Sequence, residues 1–168
     1  VTLDRDPADE AEPFFSALED VDRPIVFCFP NSDAGSYEIQ ARARALCASR
    51  DNAHLFVNLP HLDYWGLLRG AAAIVGNSSS GIMEAPSIPL PTVNVGRRQQ
   101  GRERAASVVD APAVKGEILR ALDHALSPGF REGLAGLVSP YGVGRAGERI
   151  AEILATVDLG KKLLEKRG

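Results

Sequence analysis

Four short segments carry residue types that could do chemistry. The first is Gly76-Asn77-Ser78-Ser79-Ser80-Gly81, between an apolar run and Ile82-Met83-Glu84-Ala85. A buried strand that passes through a small, hydroxyl-rich turn into a helix offers free N–H groups and the positive end of the dipole to an anion. Gly76 and Gly81 let backbone approach a ligand closely, and Ser78, Ser79 and Ser80 add hydroxyl donors. The segment is neither a Walker A loop nor GxGxxG, since the Lys and the glycine spacing are missing. An ordinary serine N-cap in a tight turn has the same residues, so both readings stand. Glu84, about one turn into that helix, either compensates the dipole or accepts two hydrogen bonds from a ribose diol.

The second segment is Gly96-Arg97-Arg98-Gln99-Gln100-Gly101-Arg102. Three arginines in a glycine-bounded loop suit anion recognition, because guanidinium pairs bidentately with phosphate. A solvated basic loop is the competing account. The third is Pro30-Asn31-Ser32-Asp33-Ala34-Gly35-Ser36. Ser36 suits an N-cap, and Asn31 and Asp33 are either turn formers or ligand contacts. The fourth, Leu3-Asp4-Arg5, ends the first apolar run. Asp4 and Asp33 are weak candidates for acid–base work and no catalytic residue is assigned. His54, His61 and His124 have no metal-ligand spacing, no Ser/His/Asp arrangement is evident, and Cys28 and Cys47 form no CxxC motif. The two cysteines read as reduced core residues.

These segments need a scaffold, and the apolar pattern specifies one. Short runs rich in Val, Ile and Phe cover 25–29, 54–59, 73–75, 91–95 and 107–109, with 1–3 as another. They do not alternate, as expected of strands buried on both faces of a parallel sheet. Between them lie helical periodicities: Ile39, Ala43, Leu46 and Cys47; Leu62, Trp65 and Leu68; Val114, Ile118, Leu122 and Leu126; Ile150, Ile153, Leu154 and Val157. Such alternation predicts an α/β fold, a three-layer doubly wound parallel sheet of Rossmann-like type. Sites then lie outside the carboxyl ends of the strands, and three of the segments leave that edge. Residues 127–145 read as a loop with one short helix, and 147–168 as a C-terminal helical segment whose basic end is solvated.

The chain has 168 residues, 45% hydrophobic and 24% charged, with a net charge of −3. One domain over 1–168 is expected. Disorder is excluded by the apolar content, and mild acidity argues against nucleic acid as the main partner. No stretch approaches the roughly 20 apolar residues needed to span a bilayer, and no signal-peptide pattern opens the chain. The expectation is a cytoplasmic protein without membrane partners. The opening Val1-Thr2-Leu3 reads as a strand cut from something longer.

Together, Gly76-Asn77-Ser78-Ser79-Ser80-Gly81-Ile82-Met83-Glu84-Ala85-Pro86-Ser87 and Pro91-Thr92-Val93-Asn94-Val95-Gly96-Arg97-Arg98-Gln99-Gln100-Gly101-Arg102 resemble the UDP-N-acetylglucosamine 2-epimerases. The Pro30 to Ser36 segment and the serine-rich turn are similar to the hydrolysing subgroup. Tyr141-Gly142-Val143-Gly144-Arg145-Ala146 is similar to the family's C-terminal glycine loop. The resemblance covers nearly all of this chain but only the C-terminal half of such an enzyme. It implies one of two Rossmann-like domains of a GT-B architecture, the half that holds UDP or a UDP-N-acetylhexosamine, with no cofactor and no metal. Ser78 and Ser79 would meet the diphosphate, Glu84 the ribose and Arg98 the nucleotide, with Ser80, Gly81 and Arg102 also among the UDP-binding residues. The backbone near Leu59 would face the uracil and Asn31 would line the cleft.

The family chemistry is elimination of UDP followed by hydration to N-acetylmannosamine, a step in sialic-acid and amino-sugar metabolism. Its catalytic carboxylates lie mostly in the N-terminal half, so this chain alone is expected to be inactive without that partner domain; a homo-oligomer is compatible with it. The family usually has a His at the end of the first strand, where Asp4 stands here, and Asp cannot supply an imidazole donor. The donor domain of a GT-B glycosyltransferase and a non-catalytic nucleotide-sugar-binding remnant are the alternatives.

Overall fold

The computed structural model describes residues 7–28, 36–158 and 160. Its main elements in order are α1 (Pro7–Glu19), β1 (Ile25–Cys28), α2 (Ser36–Ser49), β2 (Ala53–Phe56), α3 (His61–Gly70), β3 (Ile74–Gly76), α4 (Ser79–Met83), β4 (Thr92–Val95), β5 (Val108–Ala111), α5 (Lys115–Leu126), α6 (Pro128–Glu132) and α7 (Ala146–Thr156). A 3-10 turn, Ala85–Ser87, follows α4. Among the described residues all strand pairings are parallel, and the strands form two ladders, β1-β2 and β3-β4-β5.

The core explains why these runs became strands. All four residues of β4 are buried. Val93 and Val95 pack with Ala111 of β5, Ile118, Ala121, Leu122 and Ala125 of α5, and Ala17 of α1. The opposite face of β4 meets α4, where Thr92 Oγ1 donates to the Gly81 carbonyl at 3.0 Å. Helices on both faces give the expected three layers and the Rossmann-like α/β fold. Helix α1 joins the two ladders: Ala11, Phe15 and Leu18 pack with Ala43 and Leu46 of α2 and with Ile25, Phe27 and Leu55 of the first ladder. Arg50 ties the end of α1 to the approach of β1, donating to the carbonyls of Leu18, Val21 and Arg23.

Several expectations are corrected. Helix α1 has no counterpart in the periodic reading. Pro13 lies within it, and a proline there reads as a break because it removes a helical hydrogen bond. The second strand spans Ala53–Phe56 rather than 54–59, so Leu59 lies in the connection to α3. The third and fifth strands end at Gly76 and Ala111, later than the apolar runs suggest, because backbone pairing continues into Gly76 and, in the fifth strand, across the polar Asp110 to the buried Ala111. Leu62 is 82% exposed and Val114 stands outside α5 as its N-cap; a three- or four-residue spacing fits them to a face that the helices do not bury. Ser36 is the first residue of α2 rather than a residue before it. The terminal helix stops at Thr156, where Val157 turns extended. Residue 159 and residues 161–168 lie outside the described residues, as do 1–6, Asn31, Asp33 and Asp4 with them.

Candidate functional site

The turn after β3 is shaped by two glycines for different reasons. Gly76 has φ +139°, a backbone region that other residues rarely adopt, so the chain can leave the strand there. Gly81 provides closeness: a Cβ on it would lie 2.6 Å from Thr92 Cγ2. Helix α4 therefore sits directly on β4, with Ile82 and Ala85 fully buried beneath. Ser78 is the N-cap, its hydroxyl accepting from the Ser80 N–H at 3.3 Å. Asn77 and Ser78 are exposed and Ser79 half-buried. Ser80 and Gly81 are buried, and the Ser80 hydroxyl is already engaged at 2.6 Å by the Tyr64 hydroxyl of α3.

Tyr64 was invisible to motif reasoning, since one aromatic on a helix reads as core. Burial pushes its phenol above the ordinary value, the Ser80 hydrogen bond opposes this, and the nearby Glu84 carboxylate adds to the rise. Glu84 is half-buried and closes α4 as its C-cap, its N–H donating to the Ser80 carbonyl at 2.9 Å. It stands at the far end of a five-residue helix rather than inside a longer one.

The loop after β4 folds back onto that turn. Arg98 Nη1 and Gln99 Nε2 both donate to the Asn77 carbonyl, at 3.1 and 2.8 Å. Gln99 is 2% exposed, so this is a built loop and not a solvated basic strap. Arg97, Arg98 and Arg102 are exposed, with Arg102 Nη1 resting 2.7 Å from Met83 Sδ of α4. Tyr141, from the glycine-rich segment, donates its hydroxyl to the Glu103 carbonyl at 3.0 Å. The structure thus gathers Ser78, Ser79, Glu84, Arg98 and Arg102 around one end of the β3-β4-β5 ladder. Leu59 is half-buried before α3, and His61, at the start of α3, accepts from Trp65 Nε1 at 3.0 Å. Polar donors, cations and a carboxylate at the carboxyl ends of parallel strands can hold a phosphorylated, polyhydroxylated ligand.

A family model described as UDP-N-acetylglucosamine 2-epimerase matches residues 2–155. The chain belongs to the UDP-N-acetylglucosamine 2-epimerase family. It is 34% identical over 143 residues to the Legionella pneumophila UDP-N,N'-diacetylbacillosamine 2-epimerase (hydrolyzing), covering 84% of this chain and 36% of that protein. It is 33% identical over 117 residues to Polysialic acid biosynthesis protein P7 of Escherichia coli, covering 70% of this chain and 30% of that protein. Among solved structures, a UDP complex of S. aureus MnaA matches with a TM-score of 0.71 at 22% identity, over 89% of this chain and 41% of that one. The Neisseria meningitidis UDP-GlcNAc 2-epimerase bound to UDP-GlcNAc matches at 0.63 and 20% identity, over 90% and 41%. The chain therefore spans roughly a third of the curated relatives and two fifths of the solved epimerases. No helix among the described residues is long and apolar enough to cross a membrane.

Proposed function

We propose that this chain is the UDP-binding half of a hydrolysing epimerase of GT-B architecture, acting on a UDP-linked N-acetylated amino sugar. The observation that carries the reading is the convergence of Arg98 and Gln99 on the Asn77 carbonyl, which sets a guanidinium-bearing loop against a hydroxyl-bearing turn. Two relatives carrying "2-epimerase (hydrolyzing)" in their names support the subgroup.

In this reading Ser78 and Ser79, at the open side of the turn, meet the diphosphate, and Arg98 with Arg102 matches its charge. Glu84 accepts from the ribose hydroxyls, the backbone near Leu59 faces the base, and Asn31 lines the cleft. Ser80 and Gly81 act indirectly, holding the turn to α3 and β4. The reaction breaks the bond between the anomeric carbon and the diphosphate while a proton leaves C2, and water then adds to the glycal to give the N-acetylmannosamine configuration. Negative charge grows on the leaving diphosphate, and fixed cations and dipoles lower that barrier because they need no reorganisation. Proton transfer at C2 falls mostly to carboxylates of a further domain that completes the cleft.

The test is a product assay on the intact gene product with UDP-N-acetylglucosamine. Free N-acetylmannosamine and UDP in equal amounts support the reading. Interconversion to a UDP-linked sugar with no UDP released rejects the hydrolysing subtype, and release that requires an acceptor favours a glycosyltransferase.

A further inference from the structure

Arg104 follows the arginine segment closely, yet its side chain is used differently. Its Nε donates to Asp110 Oδ2 on β5 at 2.7 Å, while its Nη1 donates to the carbonyls of Gln99 and Arg102, at 3.1 and 2.5 Å. Asp110 is itself oriented by Asn94 of β4, whose Nδ2 donates to Oδ1 at 2.6 Å. Asn94 is 1% exposed. A buried asparagine in a strand that faces helices on both sides is costly unless its polar groups have partners. Here the amide nitrogen has one, the Asp110 carboxylate that it fixes on β5, while Oδ1 has no hydrogen-bond partner among the described residues.

The connected groups run from the sheet to the turn: Asn94 to Asp110, Asp110 to Arg104, Arg104 to the loop carbonyls, and Gln99 to the Asn77 carbonyl. Arginine's planar fork can address a carboxylate and two carbonyls together, which a lysine point charge cannot do with the same geometry. The pairing with Asp110 also offsets one of four closely spaced positive charges. We infer that Arg104, held by Asp110 and Asn94, is a positioning residue: it locks the 96–102 loop in the shape that directs Arg98 toward a nucleoside diphosphate. The last step rests on the UDP reading given above; the locking of the loop does not.

Two measurements on the chain separate these parts. The first needs no ligand: trypsin cleavage after Arg97, Arg98 and Arg102 reports whether the loop is held. Arg104→Ala and Arg104→Lys are expected to be cut there about tenfold faster than the parent, as loss of one charge-assisted contact would give. Arg120→Ala, which removes the same charge from the outer face of α5, is expected to be cut at the parent rate. The second is titration with UDP and with uridine. Arg104→Ala and Arg104→Lys are expected to bind UDP about tenfold more weakly while uridine binding and thermal midpoint stay near those of the parent. Unchanged cleavage overturns the locking role. Faster cleavage with unchanged UDP binding overturns the link to the ligand, as does an equal loss for UDP and uridine. If the parent itself ignores UDP, the UDP reading and the link to it fall, and the cleavage rates still decide the locking role.

Discussion

The two polar connections at the candidate site, the turn after β3 and the loop after β4, are held in place by opposite means. The turn is held by shape. Gly81 lies against Thr92, Ile82 and Ala85 are buried, and uncharged side-chain hydrogen bonds, from Tyr64 to Ser80 and from Thr92 to the Gly81 carbonyl, add to the fit. The loop is held by charge and hydrogen bonds: Arg104 to Asp110, Gln99 and Arg102, and Gln99 to Asn77. The turn should therefore fail when volume is added and be indifferent to salt. The loop should fail when donors are removed and depend more on ionic strength, since exposed charges are screened.

The largest effect tests the shape-held side. Gly81→Ala drives a methyl into Thr92 Cγ2, and overpacking of this kind costs about 1–3 kcal/mol, or roughly 2–10 °C of thermal midpoint in a chain of this size. Adding Thr92→Ser removes the clashing methyl while retaining the hydroxyl bound to the Gly81 carbonyl, so the double variant recovers most of the loss. Recovery absent from the melting curves would show that contact with Thr92 is not what Gly81 provides.

A smaller loss is expected from Tyr64→Phe. The Ser80 hydroxyl would stay buried without its partner, at a cost of about 1–2 kcal/mol by chemical denaturation. Because the folded state holds the Tyr64 phenol above its ordinary value, the neutral form is favoured by folding. That stabilisation is complete below the ordinary pKa and is lost as pH rises through the raised one. Melting scans from about pH 8 to 11 should therefore fall more steeply for the parent than for Tyr64→Phe; parallel curves would remove Tyr64 from the account. The smallest effect belongs to Ser78→Ala. A 3.3 Å cap bond on a short helix places it near the low end of the N-cap range, about 0.5 kcal/mol.

The difference between the two connections also explains what could be read from residues alone. The strands and α5 were legible because β4 is buried on both faces and the α5 core positions repeat with helical period. The serines, Glu84 and the arginines announced themselves as loop residues between such elements. Helix α1 was hidden by Pro13, and α7 displays an apolar stripe, Ile150, Ile153 and Leu154, that no described residue buries; periodicity gives a face but not its partner. Tyr64, Gln99, Arg104 and Asp110 were missed because their roles depend on contacts between elements. A trace of one existed: Asn94 and Asp110 interrupt apolar strands in register with one another, and polar residues at such positions need each other.

The central claim, that the serine turn and the arginine loop together hold a nucleoside diphosphate, is tested most directly by calorimetric titration of UDP into the 168-residue chain and into its Arg98→Ala variant. The account predicts saturable UDP binding that weakens about tenfold or more in the variant, the worth of one charge-assisted hydrogen bond. No heat of binding at millimolar UDP, or equal affinity for the two proteins, would contradict it.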